Sequence, residues 1–304
     1  MAVISVLIVS WNTCEYTLRA VASAVDASNR RQVEVIVVDN ASSDGSADAI
    51  AEHFPNVRLV RSAENIGFGR ANNLAADLAA GEHLLLLNSD AALDPGALDV
   101  LAASLDADAS VGCAAPRLHF PDGAPQPSCA PFPAPFSEAM AALGIDRWLL
   151  PHRTPDRYGR RVWAATRPLP VDWATGACLL VRRAALHGEP LFDPRFFMYS
   201  EETDLCLRLR RRGYATLFVP EASAMHVGGA SGRALDHAML RTFYQSREIF
   251  LRKHYGRSAA VAFHAALRIG SLLRVVAASL LSRVQRDPAW DRTRARYAAL
   301  RKEL

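Results

Sequence analysis

The chain has 304 residues, half of them hydrophobic and 22% charged, with five cysteines and a formal net charge of +4. This composition excludes a disordered chain, and the odd number of scattered cysteines (Cys14, Cys113, Cys129, Cys178, Cys206), none in CxxC spacing, argues against a disulfide framework and a zinc site. The charge is unevenly divided: residues 1–235 carry 21 basic and 26 acidic side chains, net −5, whereas residues 236–304 carry 14 and 5, net +9. Such a split predicts an acidic body and a basic appendage drawn to an anionic surface, either membrane or nucleic acid.

The chain opens on an apolar run, 3–9, which reads as a buried strand and not as a signal peptide, so the body is expected in the cytoplasm. Residues 14–25 place Leu18, Val21, Ala22 and Val25 at helical spacing, with Thr13 as the expected N-cap. A second buried strand, 33–38, completes a β-α-β unit and ends in Asp39-Asn40-Ala41-Ser42-Ser43-Asp44-Gly45-Ser46. Asp44 or Ser46 suffices to cap the next helix, so Asp39 has two readings: loop solvation, or an acceptor for a nucleobase N–H or ribose hydroxyl. A third strand, 57–60, leads into Asn65-Ile66-Gly67-Phe68-Gly69-Arg70. Its glycines suit either an ordinary turn or close backbone approach by a ligand, with Arg70 placed to meet a diphosphate.

Four consecutive leucines, 84–87, suit a strand buried on both faces of a parallel sheet, and the run stops at Asn88-Ser89-Asp90. Asp90 therefore stands just past a strand's carboxyl end, where open α/β sheets bind ligands; a metal or phosphate role and a simple turn-capping role both fit. Asp94-Pro95 opens a helix to about residue 105, 111–115 is a strand, and the proline-rich stretch 116–135 reads as a mobile loop across the site. A helix over 137–150 and a basic loop with Arg153, Arg157, Arg160 and Arg161 follow. Thr175-Gly176-Ala177 turns into a buried strand, Gly176 leaving room for a substrate beside the backbone.

After an aromatic run over 192–199, Glu201, Glu202 and Asp204 crowd together. Like charges beside apolar surface push at least one pKa upward, which suits a general base; capping of a helix over 203–212 accounts for one or two of the acids but not all three. Residues 214–219 read as the last strand, followed by His226 beside Gly228-Gly229, either a loop histidine or a metal ligand returning to Asp90. In the appendage, 241–255 and 258–286 read as helices. Arg268 and Arg274 argue against a membrane-spanning second helix; His264, Arg268, Ser271, Arg274, Ser282 and Arg286 instead form a basic stripe suited to an interfacial helix. Packing on the body, or on a second subunit of a homo-oligomer, is the competing reading.

Taken in order, Ser10-Trp11-Asn12, the 37–46 segment around Asp39, Asn65-Ile66-Gly67-Phe68, Leu86-Leu87-Asn88-Ser89-Asp90, Thr175-Gly176-Ala177, the 197–205 segment around Glu201-Glu202 and His226-Val227-Gly228-Gly229 resemble the motif set of family-2 glycosyltransferases of the GT-A fold, especially the bacterial rhamnosyltransferase-like group. The resemblance implies a Rossmann-like α/β catalytic domain with a mostly parallel sheet at 1–235 and a helical extension at 236–304. It further implies inverting transfer from a nucleoside-diphosphate sugar, with thymidine-diphosphate rhamnose as the first choice, to a hydroxyl of a cell-surface glycan or its lipid-linked precursor. By the same resemblance Asp39, with Ser10 and Asn12, holds the base and ribose, while Trp11, Asn65, Gly67, Arg70, Asn88 and Gly176 complete the nucleotide-sugar site. Asp90 and His226 then bind the Mg2+ or Mn2+ that bridges the diphosphate.

Glu202 stands where many relatives have an aspartate base, with Glu201 and Asp204 as alternatives. Two departures, Glu-Glu for Glu-Asp and Asn88 for the first acid of the DXD-type motif, keep alive a catalytically silent nucleotide-sugar binder or scaffold at the membrane. A sugar nucleotidyltransferase is disfavoured because no basic, glycine-rich loop follows the first strand. A lipid-linked acceptor makes a membrane surface, and not nucleic acid, the expected partner of the appendage, with the enzyme peripheral on the inner face of the cell membrane.

Overall fold

The computed structural model describes residues 3–28, 30–149, 155–228, 237–285 and 287–303. They group into two compact units, Met1–Phe132 with Pro155–Ser231, and Pro133–Thr154 with Gly232–Leu304.

In the first unit, β1 (Ile4–Ser10), α1 (Cys14–Val25), β2 (Val33–Asp39), α2 (Ser46–His53), β3 (Arg58–Arg61), α3 (Phe68–Leu78) and β4 (His83–Asn88) wind as successive β-α-β units. β1 pairs in parallel with β2 on one side and β4 on the other, so strand order changes direction between β1 and β4. The crevice beyond the carboxyl ends of these two strands is where an open α/β sheet receives a ligand. The register brings Ser10 beside Asp39 and Val9 beside Asn88 at that mouth. Leu84 to Leu87 are all buried: Leu85 and Leu87 join a core layer with Val21 of α1, and Leu84 and Leu86 join the opposite layer with Ala71 and Ala75 of α3. A strand covered on both faces has no polar side, which is why the run does not alternate.

The chain continues through β5 (Ala91–Leu93), α4 (Ala97–Ala107), β6 (Val111–His119), β7 (Pro125–Gln126) and β8 (Cys129–Ala130). In the second unit follow α5 (Pro135–Leu143) and α6 (Asp146–Leu149). Back in the first come α7 (Pro155–Trp163), β9 (Leu169–Val171), β10 (Trp173–Ala174), β11 (Cys178–Arg182), α8 (Glu201–Arg211) and β12 (Ala215–His226). The main sheet runs β3-β2-β1-β4-β11-β6-β12-β5. It is mixed, because β11 lies antiparallel between β4 and β6.

Several sequence expectations change here. The stretch 116–135 is not one mobile loop: β6 runs through Pro116 to His119, and β7 and β8 follow. Pro116 is tolerated because its partner Val219 adjoins a register shift in β12, where the ladder is already interrupted. The expected basic loop is helix α7; Arg153 and the Arg157 side chain lie outside the described residues. The helix expected over 137–150 stops at Gly144, whose φ of +83° ends α5. Thr13 makes no side-chain cap: its hydroxyl donates to Ser89 Oγ at 2.9 Å, and Asp44 Oδ2 accepts the Cys14 N–H at 2.8 Å.

The second unit adds α9 (His237–Tyr255), α10 (Arg257–Gln285) and α11 (Pro288–Glu303). α10 meets α5 so closely at Gly270 that a Cβ there would lie 2.0 Å from the Ala142 carbonyl oxygen. Arg274, expected on an outward basic stripe, turns inward instead. Its Nη1 donates to the Ala142 carbonyl at 2.6 Å and its Nη2 to that of Ala141 at 3.1 Å, and its guanidinium lies over the Tyr297 ring. The last carbonyls of a helix lack intrahelical donors, and this guanidinium supplies them. Ser271 is buried as well, whereas Arg268 is exposed; Arg286 lies outside the described residues.

Candidate active site

Three groups of side chains meet at the mouth between β1 and β4. The first surrounds Asp39. Asn12 sits at φ +53°, a left-handed conformation asparagine tolerates, and its Oδ1 accepts the Ser43 N–H at 2.8 Å while its own N–H donates to Ser42 Oγ at 3.0 Å. The β1 and β2 turns are thereby tied to each other. Asp39 Oδ2 accepts the Ser42 N–H at 3.1 Å, but its buried Oδ1 has no hydrogen-bond partner among the described residues. Asp44 accepts the Cys14 and Ser46 N–H groups at the starts of α1 and α2, so Asp39 is not needed at either helix start. A buried orphan acceptor is costly unless a ligand N–H or O–H completes it. Trp11 stands 38% exposed at the rim, and Ser10 is buried with its hydroxyl 2.9 Å from Thr17 Oγ1.

Asn65 joins this corner through a residue not singled out in the sequence, Asn40. Asn40 Nδ2 donates to Asn65 Oδ1 at 2.8 Å, and Asn40 Oδ1 accepts the Ile66 N–H at 3.0 Å. Gly67 holds φ +86°, and a Cβ there would lie 2.6 Å from Phe197, so glycine is required by both conformation and space. Arg70 donates from Nε to the Pro194 carbonyl at 3.1 Å, tying α3 to the segment that precedes α8.

The second group lies past β4. Asp90 is 7% exposed, with Oδ1 3.2 Å from His226 Nε2; Asn88 Nδ2 lies 3.4 Å from the same nitrogen. β12 carries His226 back to this point, and the Val227 N–H donates to the Asp90 carbonyl at 3.0 Å. Gln126, which no sequence signal marked, fixes the ring: its Oε1 is 2.8 Å from His226 Nδ1. An acceptor on Nδ1 assigns the proton of a neutral imidazole to that nitrogen and leaves Nε2 as an available lone pair. A lone pair and a carboxylate oxygen at 3.2 Å are reconciled by a proton on Nε2 or by a cation that both can ligate. Among the described residues no cluster of three His, Cys, Asp or Glu side chains suited to a metal occurs. Asn88 Oδ1, however, is buried without a hydrogen-bond partner, and an amide oxygen is a suitable third donor. Two protein ligands and an amide oxygen fit a hard cation that keeps waters and phosphate oxygens for the rest of its shell.

The third group is at the start of α8. Tyr199 and Ser200 hold φ +70° and +66°, turning the chain so that Glu201 enters the core at 4% exposure while Glu202 stays half-buried. Burial, and after it the charge of Glu202, holds the Glu201 carboxyl well above the usual range. Burial, then the charges of Glu201 and Glu202, likewise raise the Tyr199 phenol. Asp204 is fully buried and accepts from Arg208 Nε at 2.9 Å, while Arg208 also donates to the Leu191 carbonyl at 2.6 Å. Gly176 backs Glu202: a Cβ there would sit 3.8 Å from Glu202 Cβ and 3.7 Å from the Phe68 ring, ordinary contact distances. The neighbouring Ala177 carbonyl accepts the Asn88 N–H at 2.9 Å, so the 175–177 turn is shared by the Glu202 and Asp90 groups.

Comparison with known proteins gives the family and the fold. The family model for glycosyl transferase family 2 matches residues 5–186. The N-acetylglucosaminyl-diphospho-decaprenol L-rhamnosyltransferase of Mycobacterium tuberculosis is 32% identical over 266 residues, covering 84% of this chain and 86% of that protein. The rhamnosyltransferase WbbL of Escherichia coli is 32% identical over 101 residues, 31% of this chain and 38% of the relative. Among solved structures, the mannosyltransferase PcManGT from Pyrobaculum calidifontis, in complex with GDP-Man and Mn2+, superposes with a TM-score of 0.57 at 19% identity, covering 98% of this chain and 85% of that one. That likeness establishes the shared fold.

Proposed function

The chain belongs to glycosyl transferase family 2, and from that premise we propose that it transfers rhamnose, with inversion, from a thymidine-diphosphate donor to a hydroxyl of a lipid-linked glycan. The sugar and the lipid-linked acceptor are suggested by the Mycobacterium tuberculosis relative, which aligns over most of both chains. The observation that carries the reading is the shared 175–177 turn, which holds Asn88 through the Ala177 carbonyl and backs Glu202 with Gly176. A base and a diphosphate-binding corner are thereby fixed to one piece of backbone, as a displacement between a donor and an acceptor hydroxyl requires.

Asp39 offers its orphan Oδ1 to the nucleobase or ribose, with Ser10, Trp11 and Asn12 forming the wall around it. Asp90, His226 and the Asn88 amide oxygen are the residues that would hold a divalent cation. When bound, Mg2+ or Mn2+ supplies Lewis-acid stabilisation of the departing diphosphate. Glu202 takes the acceptor proton as that oxygen attacks the anomeric carbon from the side opposite the diphosphate. Burial holds the Glu201 carboxyl above the usual range, so the less buried Glu202 is assigned as the base of the pair. Asp204 serves the fold, through Arg208.

The test is a panel of nucleoside-diphosphate sugars assayed for binding and transfer with and without divalent cation. The expected result is cation-dependent turnover of the rhamnose donor and its loss in Asp90→Ala. Full turnover by that variant would remove Asp90 from the cation site, and consumption of a different donor would replace rhamnose. Donor binding with no transfer to any acceptor would favour the silent-binder reading.

A further inference from the structure

α10 has two unlike faces. Toward its own unit it packs Phe263, Leu267 and Ala278, closes on α5 at Gly270, and places Arg274 on the α5 carbonyls. On the other side Val261, Ile269, Leu272, Leu273, Val276 and Leu280 are exposed, Leu273 and Leu280 at 54% and 57%. At about 100° per residue these six fall within one arc of the helix. From Val261 to Leu280 the strip extends about 29 Å at 1.5 Å per residue, along a helix of 29 residues. A contiguous apolar strip of this length is uncommon on a soluble surface unless something covers it.

Charge identifies the cover. Between Arg257 and Gln285 the helix has four arginines and no acidic residue, and exposed Arg257, Arg268 and Arg283 stand at the ends and edge of the strip. Residues 236–304 as a whole carry net +9. Two copies meeting through this face would bring like charges together, whereas an anionic lipid surface matches both the apolar strip and its basic surround. Arg257–Val284 is also long and apolar enough by length and composition to cross a membrane. Its inner face, however, is committed to α5 and to Tyr297 of α11 by contacts between polar groups, which a spanning helix would carry into hydrocarbon.

We propose that α10 lies along the surface of an anionic bilayer, its 261–280 strip sunk among the acyl chains and its arginines among the headgroups. This surface is separate from the transfer site, and its test needs no turnover. The full chain is pelleted with vesicles of phosphatidylcholine alone and of phosphatidylcholine and phosphatidylglycerol in equal parts. The expected result is binding to the anionic vesicles that weakens with salt, and a drop of about tenfold or more in partitioning for Leu273→Ser with Leu280→Ser. Both positions are exposed, so circular dichroism and melting should be unchanged; Arg268→Glu with Arg283→Glu gives a second route and should affect only the anionic vesicles. Failure of the unmodified chain to pellet, or equal pelleting of both double variants, overturns the proposal. So does a lipid-free dimer that the leucine substitutions dissociate, or material released from membranes only by detergent and not by alkaline carbonate.

Discussion

Glu202 and Asp204 are two positions apart on α8, about 200° around the helix, and this rotation separates their chemistry. Asp204 is fully buried and paired with Arg208, which also meets Glu189, whereas Glu202 is half-buried beside Gly176. The two substitutions should therefore fail differently. Glu202→Gln keeps donor binding and stability but lowers transfer by about 10²–10⁴-fold, the usual contribution of a general base. Asp204→Asn weakens the charge pair with Arg208, which keeps Glu189 and the Leu191 carbonyl, and costs about 2 kcal/mol of stability, while the folded fraction transfers normally. Donor titration, urea unfolding and single-turnover transfer on each variant separate the two; transfer by Glu202→Gln at the unmodified rate moves the base to Glu201. The crowd of three acids was legible in the sequence, but their assignment was not, because burial depends on what packs over each turn. Gln126 was not legible at all: it meets His226 across 100 positions of chain, from a stretch that has no periodic pattern.

At the scale of elements, long apolar runs were readable because a strand covered on both faces must be continuously hydrophobic, as β1, β2 and β4 are. The antiparallel insertion of β11 and the return of β12 to β5 were not, since pairing partners are chosen by packing and not by local propensity. The same limit hid the turn into α8. Tyr199 and Ser200 occupy left-handed backbone in succession, which costs a non-glycine residue about 1–2 kcal/mol, and Ser200 Oγ is buried without a partner among the described residues. Ser200→Gly removes the strain and the orphan hydroxyl at once, against the greater freedom glycine gives the unfolded chain. The expected net effect is a gain of about 1 kcal/mol, read as a higher urea midpoint at unchanged slope. A loss of stability would mean that the hydroxyl has a role in holding Glu201 at the head of the helix.

For the molecule as a whole, sequence patterning showed that the appendage is helical and basic but misplaced part of its basic stripe: Ser271 and Arg274 turn inward while Arg268 stays exposed, because an arginine in an apolar helix looks the same whether it meets water or caps a neighbouring helix. A buried carboxyl raises a comparable question of global stability. Glu201 keeps its proton in the folded chain well above the ordinary glutamate range, owing to burial and then to the charge of Glu202. The unfolded chain gives that proton up near about pH 4.3. Between those two values the unfolded state binds fewer protons than the folded one, so this group makes stability fall as pH rises, until the folded carboxyl ionises as well. Glu201→Gln has no proton to release. Its stability relative to the unmodified chain should therefore climb as pH rises above about pH 4.3, in matched urea unfolding series, and level off once the folded carboxyl ionises. A difference that does not change with pH would show that Glu201 is already ionised in the fold. The Glu202 carboxylate would then have to take its proton beside a second buried negative charge, and the division of labour between the two acids would have to be reversed.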